Sequence, residues 1–266
     1  MARRTARKKP SARAVGIPIA AGGSVFRPLK AAEVVAREIV RTIRSDQMRP
    51  GDPLPSEAGM LEQYGVSRES LREGLRLLEV QGMITIRRGP GGGPSVGTVD
   101  PANLGRMQAL FYDMAGAGYD ELFEAWVFAE THLARLAGLN PDSALREAAM
   151  APYLAGEAED DLHADLEVFV SGHEGFHGAV AELSGNRVFQ LTFRSYGQVV
   201  AHHLATVGDV RALHEELVDE HLQIARAISD GDAEKSAALM ESHLRAVIQV
   251  NKAQLGALLE GPVEWL

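Results

Sequence analysis

The chain has 266 residues, 45% of them hydrophobic, and no cysteine. That length suits two modest domains, each able to bury a core, and excludes both a disulfide framework and a thiolate metal site, as expected of a protein of the reducing cytoplasm. No apolar run approaches the roughly 18 residues of a membrane span, and the basic start MARRTARKKPSAR is not followed by the apolar segment of a signal peptide. The net charge of −9 is unevenly divided: residues 1–100 hold 17 Lys/Arg against 10 Asp/Glu, a balance of +7, and the remainder 10 against 26, a balance of −16. A basic first third on an acidic body points to a polyanionic partner for the first third. Six of its positive charges fall in residues 1–13, so a basic tail alone accounts for part of the asymmetry.

Residues 1–24 are rich in Arg, Lys, Ala, Gly and Ser with few apolar anchors, and read as a disordered basic arm that adds non-specific phosphate contacts. From Pro28 a helical stripe of Val35, Ile39, Val40 and Ile43 runs to about residue 45. RPGDPLP (49–55) breaks it. Ser56 can cap a short second helix through Gln63, with Glu57 at its positive end. Gly65 permits a tight turn, and Ser67 can cap a third helix over about 67–80, which ends at Gly82. Leu71, Leu75 and Leu78 form the inward stripe of that helix, and Arg68, Arg72 and Arg76 recur beside it at i, i+4, i+8. Taken alone, this helix also fits an ordinary solvated helix, because Glu69 and Glu73 lie between the arginines. The segments that follow decide between the two. MITIRRG (83–89) reads as a strand, GPGGGP (89–94) as a loop and SVGTV (95–99) as the return strand, a β-hairpin with Arg87 and Arg88 at its tip. GPGGGP lacks the Lys-Ser/Thr of a phosphate-binding P-loop, and no helix opens directly after it. Two short helices around a tight turn, the second with Ser and Arg near its start, followed by a hairpin, form a winged helix-turn-helix over 25–100. In that arrangement the recognition helix reads base edges of double-stranded DNA and the wing meets phosphate or the minor groove.

From 101 to 257 no strand pattern stands out. Helical patterns cover about 103–115, 119–138, 142–156, 160–184, 186–206, 210–229 and 232–257, an all-α bundle, with 258–266 as a tail. The fold class is therefore mainly α, a winged helix-turn-helix followed by a helical bundle. His173 and His177 share an apolar face with Leu166, Val170 and Val180; His221 shares one with Leu217, Ile224 and Ile228; His243 shares one with Met240, Val247 and Val250. Four imidazoles thus fall on stripes expected to face the interior. A single inward histidine is usually a hydrogen-bonded core residue, but four on three helices match the way bundles build metal sites. The segment His173-Glu174-Gly175-Phe176-His177 also matches H-E-x-x-H, the zinc protease helix. Val180 and Leu183 stand where the extended motif has Gly and His. Three readings remain at this point: a regulator that binds DNA and a small molecule, a metal-dependent hydrolase using HEGFH, and an architectural DNA-binding protein with no effector.

PGDPLPSE (50–57), YGVSRESLREGLRLLEVQGMI (64–84) and the RRGPGGG wing, in that order, resemble the DNA-binding domain of the GntR family of regulators. The resemblance implies that Ser67, Arg68, Ser70 and Arg72 contact DNA from the recognition helix, with Arg88 and Gly89 on the wing. Members often carry Arg after PSE; here it is Ala58. FHGAVAELSGN (176–186), EH-x-x-I-x-x-AI (220–228) and S-H-L (242–244) resemble the FCD ligand-binding domain of the FadR-type branch. That likeness implies a homodimer on a pseudo-palindromic operator and metal ligands at His173, His177, His221 and His243, His173 standing where Asp is usual. Four neutral imidazoles suit zinc or nickel better than a hard ion, and leave charge for an anionic effector to balance. Trp126, in Glu124-Ala125-Trp126, stands where such domains often carry Arg. It is assigned to the effector pocket, where it removes an anion clamp and points to a less polar or larger effector.

Overall fold

The computed structural model describes residues 29–89, 91–155, 166–207 and 210–265, with side chains described in these stretches except at 166–174, 201–218, 254, 255, 257 and 258. The chain divides between Leu104 and Gly105 into two compact units. No described helix is long and apolar enough to cross a membrane.

The first unit contains α1 (Ala31–Ser45), α2 (Glu57–Tyr64), α3 (Arg68–Val80) and the hairpin β1 (Ile84–Arg87) and β2 (Gly93–Val96). Val35 and Ile39 of α1, Met60 of α2, Leu71, Leu75 and Leu78 of α3, and Ile84 and Val96 of the hairpin form one core. Burying each large aliphatic side chain stabilises the fold by roughly 1.5–3 kcal/mol, so the three leucines fix which face of α3 turns inward. Ser56 caps α2 by accepting from the Gly59 N–H, and the helix ends on Gly65 at φ 61°, a left-handed position that glycine adopts without penalty. Ser67 caps α3 in the same way, accepting from the Ser70 N–H at 3.1 Å.

The hairpin is antiparallel, with Ile84 opposite Val96 and Arg87 opposite Gly93. Its return strand begins two residues earlier than the 95–99 expected from sequence, inside the glycine-rich segment. The reason lies in RPGDPLP, which does more than interrupt a helix. Gly51 N–H donates to Val96 O at 2.8 Å, Val96 N–H to Asp52 O at 2.9 Å and Leu54 N–H to Pro94 O at 2.9 Å, so residues 51–54 line the outer edge of β2 and set its start. The turn then closes over Gly89–Gly92 with a 2.9 Å bond from Gly92 N–H to Gly89 O. A Cβ on Gly92 would collide with the Arg87 carbonyl.

The division falls within the first turn of α4 (Pro101–Ala115), and the second unit continues with α5 (Tyr119–Gly138), α6 (Ser143–Leu154), α7 (Leu166–Leu183), α8 (Arg187–Val207), α9 (Val210–Asp230), α10 (Ala233–Leu255) and a short 3-10 turn, Gly256–Glu260. The bundle is built around α5, whose Leu122, Phe123, Trp126, Ala129, Leu133 and Ala137 are buried. Helix α10 runs antiparallel beside it, with Lys252 paired to Asp120 at one end and Arg135 to Glu234 at the other. The residues expected as a tail after 257 fold back instead. Val263 is fully buried, its N–H donates to Ala117 O at 2.8 Å, and Pro262 bridges to Gly118. The pairing satisfies backbone groups in the turn between α4 and α5, which would otherwise lack a partner.

Gly74 sets how closely α1 and α3 approach: a Cβ there would lie 2.9 Å from both Ala32 O and Val35 Cγ1. Replacing helical Gly by Ala gains roughly 0.5–1 kcal/mol of intrinsic preference, whereas overpacking costs typically 1–3 kcal/mol. Because one clashing atom is backbone, the second effect wins. We expect Gly74→Ala to destabilise the first unit by roughly 1–2 kcal/mol net, read as faster hydrogen exchange along α1 and α3; unchanged exchange there would contradict this packing.

Candidate functional site

On the first unit, the candidate DNA-reading groups gather at the start of α3. Ser67 and Ser70 are joined through their hydroxyls at 3.0 Å, and Arg68, Arg72 and Arg76 are exposed on one face. Arg72 is also engaged within the unit, its Nε donating to Glu57 Oε1 of α2 at 3.2 Å. Such an exposed pair contributes little stability, yet it orients the guanidinium and leaves the terminal N–H groups for an acceptor on DNA. Arg87, Arg88 and Gly89 are exposed at the far end of the hairpin, and Gly89 takes φ 100°. Ala58 is exposed in the first turn of α2 and offers no side-chain donor.

In the second unit the structure brings together His177 of α7, His221 of α9 and His243 of α10. All three are buried, and the candidate ligand atoms lie within 4.8 Å of one another. His221 and His243 are 3.2 Å apart through their Nε2 atoms. The outer nitrogens face carboxyl groups: His177 Nδ1 donates to Glu130 Oε2 at 3.1 Å, and His243 Nδ1 to Glu220 Oε2 at 2.8 Å. Phe176 stacks on the His221 ring at 4.2 Å. Burial pushes the His243 pKa below its ordinary value; the Glu220 hydrogen bond opposes that shift, and neighbouring His177 adds to it. A neutral His243 with its proton on Nδ1 presents the Nε2 lone pair inward. That tautomer, held by an outer carboxyl, is what ligation of a metal by imidazole requires. The donor set, three buried imidazoles with carboxyl groups behind two of them, fits zinc or nickel.

His173 lies on α7 one turn before His177; its side chain, and that of Glu174, fall outside the described residues. Trp126 is buried in the core one turn before Glu130 on α5, with Gly197 of α8 against its indole. Sequence reasoning passed over Glu130 and Glu220. Glu130 is 2% exposed and stands on the same stripe as Trp126 and Leu133, so a lone acid on an apolar stripe was the available signal. Glu220 precedes a candidate ligand and looks like an ordinary solvated acid until the fold places α10 beside it.

Comparison with known proteins agrees with both halves of this description. Residues 31–92 match the family of bacterial regulatory proteins named gntR, and residues 121–246 match the FCD domain. The chain belongs to the GntR family of transcriptional regulators, in the branch that carries an FCD effector-binding domain. It is therefore a regulator and not an enzyme, and HEGFH is part of a helix of the FCD domain. The HTH-type transcriptional repressor NanR of Klebsiella aerogenes is 28% identical over 229 residues, covering 83% of this chain and 86% of that protein. NanR of Salmonella arizonae is 28% identical over 240 residues, covering 86% and 89%. Among solved structures, Streptococcus agalactiae GntR shares the fold, with a TM-score of 0.62 at 22% identity over 82% of this chain and 99% of that one.

The hydrogen bonds to Glu130 and Glu220 assign the protons of two rings. In long-range proton–nitrogen NMR spectra at neutral pH, with metal removed by a chelator, His177 and His243 are expected as Nδ1–H tautomers. Glu220→Ala should move His243 towards the Nε2–H form. An Nε2–H form of His243 in the unaltered protein would contradict the assignment.

Proposed function

We propose that this protein is a homodimeric repressor that reads a pseudo-palindromic operator and is tuned by a small anionic effector bound at the histidine cluster, with a divalent metal, zinc or nickel, as part of that site. The observation that carries the reading is the convergence of His177, His221 and His243 with Glu130 and Glu220 behind them, in a chain whose first unit belongs to a DNA-reading family. The repressor sign is taken from the NanR proteins, which are named repressors. Such a protein works in the cytoplasm, where its operator lies.

On the operator, the N-terminal end of α3 enters the major groove, with Arg68 and Arg72 positioned for guanine and Ser67 and Ser70 for phosphate or base edges. Arg88 and Gly89 approach the backbone from the wing. In the second unit, His177, His221 and His243 would hold the metal, with His173 the fourth ligand that the family resemblance implies. Bound metal supplies a Lewis-acidic point to which an anionic group can attach. Trp126 gives the effector an apolar wall in place of a second cation. Regulation then requires the effector to favour one arrangement of the dimer over another, typically by about 1–3 kcal/mol.

Two measurements test this proposal. Arg68→Ala should weaken operator binding by about 1–3 kcal/mol and relax the base preference at one position, whereas Arg88→Ala should weaken all sequences alike and reduce the salt slope by about one. Equal losses on operator and random DNA for Arg68→Ala would remove it from base reading. Elemental analysis of the untagged protein should find about one zinc or nickel per chain, lost in His221→Ala. In Glu130→Gln the metal should be held roughly 10–100-fold more weakly, measured by competition with a chelator. No metal, and none taken up on addition, sinks the metal half of the proposal and leaves the histidines as the polar lining of an organic pocket.

A further inference from the structure

Among the described residues, the helical unit buries seven polar or charged side chains. Glu130, His177, His221 and His243 make up the cluster. Ser195 and Ser236 are satisfied where they stand, each donating its hydroxyl to a backbone carbonyl of the preceding turn: Ser195 to Thr192 O at 2.5 Å and Ser236 to Asp232 O at 2.7 Å. The seventh is Asn251 of α10, and it differs from the rest. It is buried, and its Nδ2 has no hydrogen-bond partner within the protein. A buried amide left unpaired costs the full desolvation of its N–H groups, so each one that a native interior retains calls for an explanation.

The position of Asn251 supplies one. His243, Val247 and Asn251 recur at i, i+4, i+8 and form one ridge of α10. They are 0%, 1% and 3% exposed, so the whole ridge faces the interior. At a rise of 1.5 Å per residue, Asn251 lies about 12 Å along the helix from His243. Val247 separates the two, with Leu244 buried beside it. The ridge is thus polar at both ends and apolar between them. Packing gives no reason for the amide, because leucine has the same branching and no polar atom to satisfy.

We propose that Asn251 is a ligand-contacting residue of the effector site, its Nδ2–H donating to an oxygen at the end of the effector remote from the histidines. The proposal rests on the reading of the histidine cluster as the anion-binding end of that site, and it narrows the class of molecule bound. The effector is an elongated acid with an apolar middle and a second oxygen, of a hydroxyl, carbonyl or amide group, held about two helical turns from the anionic head. A compact acid reaches the histidines and leaves the amide unpaired. A site with a buried donor rejects the analogue that lacks the acceptor, because the donor is then left without a partner. The unpaired amide also lowers the stability of the free protein, and an effector that satisfies it restores that stability on binding.

Titration calorimetry on the full chain with zinc added tests the proposal, with hexanoate, octanoate and decanoate and the ω-hydroxy form of each as probes. At the chain length that fits, the hydroxy acid should bind at least about tenfold more tightly than the plain acid. In Asn251→Leu that preference should vanish or reverse, with the plain acid bound no less tightly. The same variant should raise the unfolding temperature of the chelator-treated protein by about 2–4 °C, since the unpaired amide is removed with little change of shape. If Asn251→Leu lowers helical content by circular dichroism, Asn251→Ala is read for the hydroxyl preference instead. A preference that survives the substitution, no preference at any length, or an unfolding temperature lowered with helical content intact overturns the role of Asn251 and leaves the histidine reading standing. Binding of both series that survives His221→Ala, or no binding of either series, overturns both.

Discussion

Polar rings in the middle of an apolar bundle are stable only if their nitrogens are satisfied, and this constraint organises the helical unit. His177, His221 and His243 come from three different helices, and each would be costly if buried without a partner. Glu130 reaches in from α5 to take one ring proton and Glu220 from α9 to take another. Helix α5 is thereby joined to α7, and α9 to α10, by polar contacts as well as by packing. Aliphatic packing tolerates small slides between helices, whereas hydrogen bonds near 3 Å do not. The site is therefore built by the same interactions that hold α5 against α7 and α9 against α10.

The first unit achieves definition by a different route. Its core is small and aliphatic, and its precision comes from close approach at Gly74 and from the edge pairing of residues 51–54 with β2. Helix α3 has to serve two faces: three leucines hold it to α1 and α2, and three arginines leave it on the neighbouring face. The Arg72–Glu57 pair ties the reading face back to α2.

Much of this was legible in the chain. Apolar stripes placed α1 and α3 within a few residues, Ser56 and Ser67 marked the starts of α2 and α3, and helical periodicity likewise placed the helices of the bundle. The histidines of α7, α9 and α10 could be singled out because each interrupts an otherwise aliphatic stripe. What periodicity could not supply was partnership between distant segments. Glu130 and Glu220 become meaningful only when α5 meets α7 and α9 meets α10. The true start of β2 depends on a segment some forty residues earlier, and the burial of Val263 depends on the turn at Ala117. Each of these is a long-range pairing that leaves no mark on local propensity.

The hydroxyl of Ser67 has a consequence for how such a regulator can diversify. It caps the start of α3 by accepting a backbone hydrogen bond, and it stands at the end of the helix proposed to read DNA. A change there to seek a new target sequence also removes a helix cap, typically about 1 kcal/mol of stability. Arg68 has no such second duty, so inheritable variation in target choice can accumulate at that position and be purged at Ser67. Divergence among descendants of this protein should therefore be read as two superimposed records, one of folding and one of address, written on neighbouring residues.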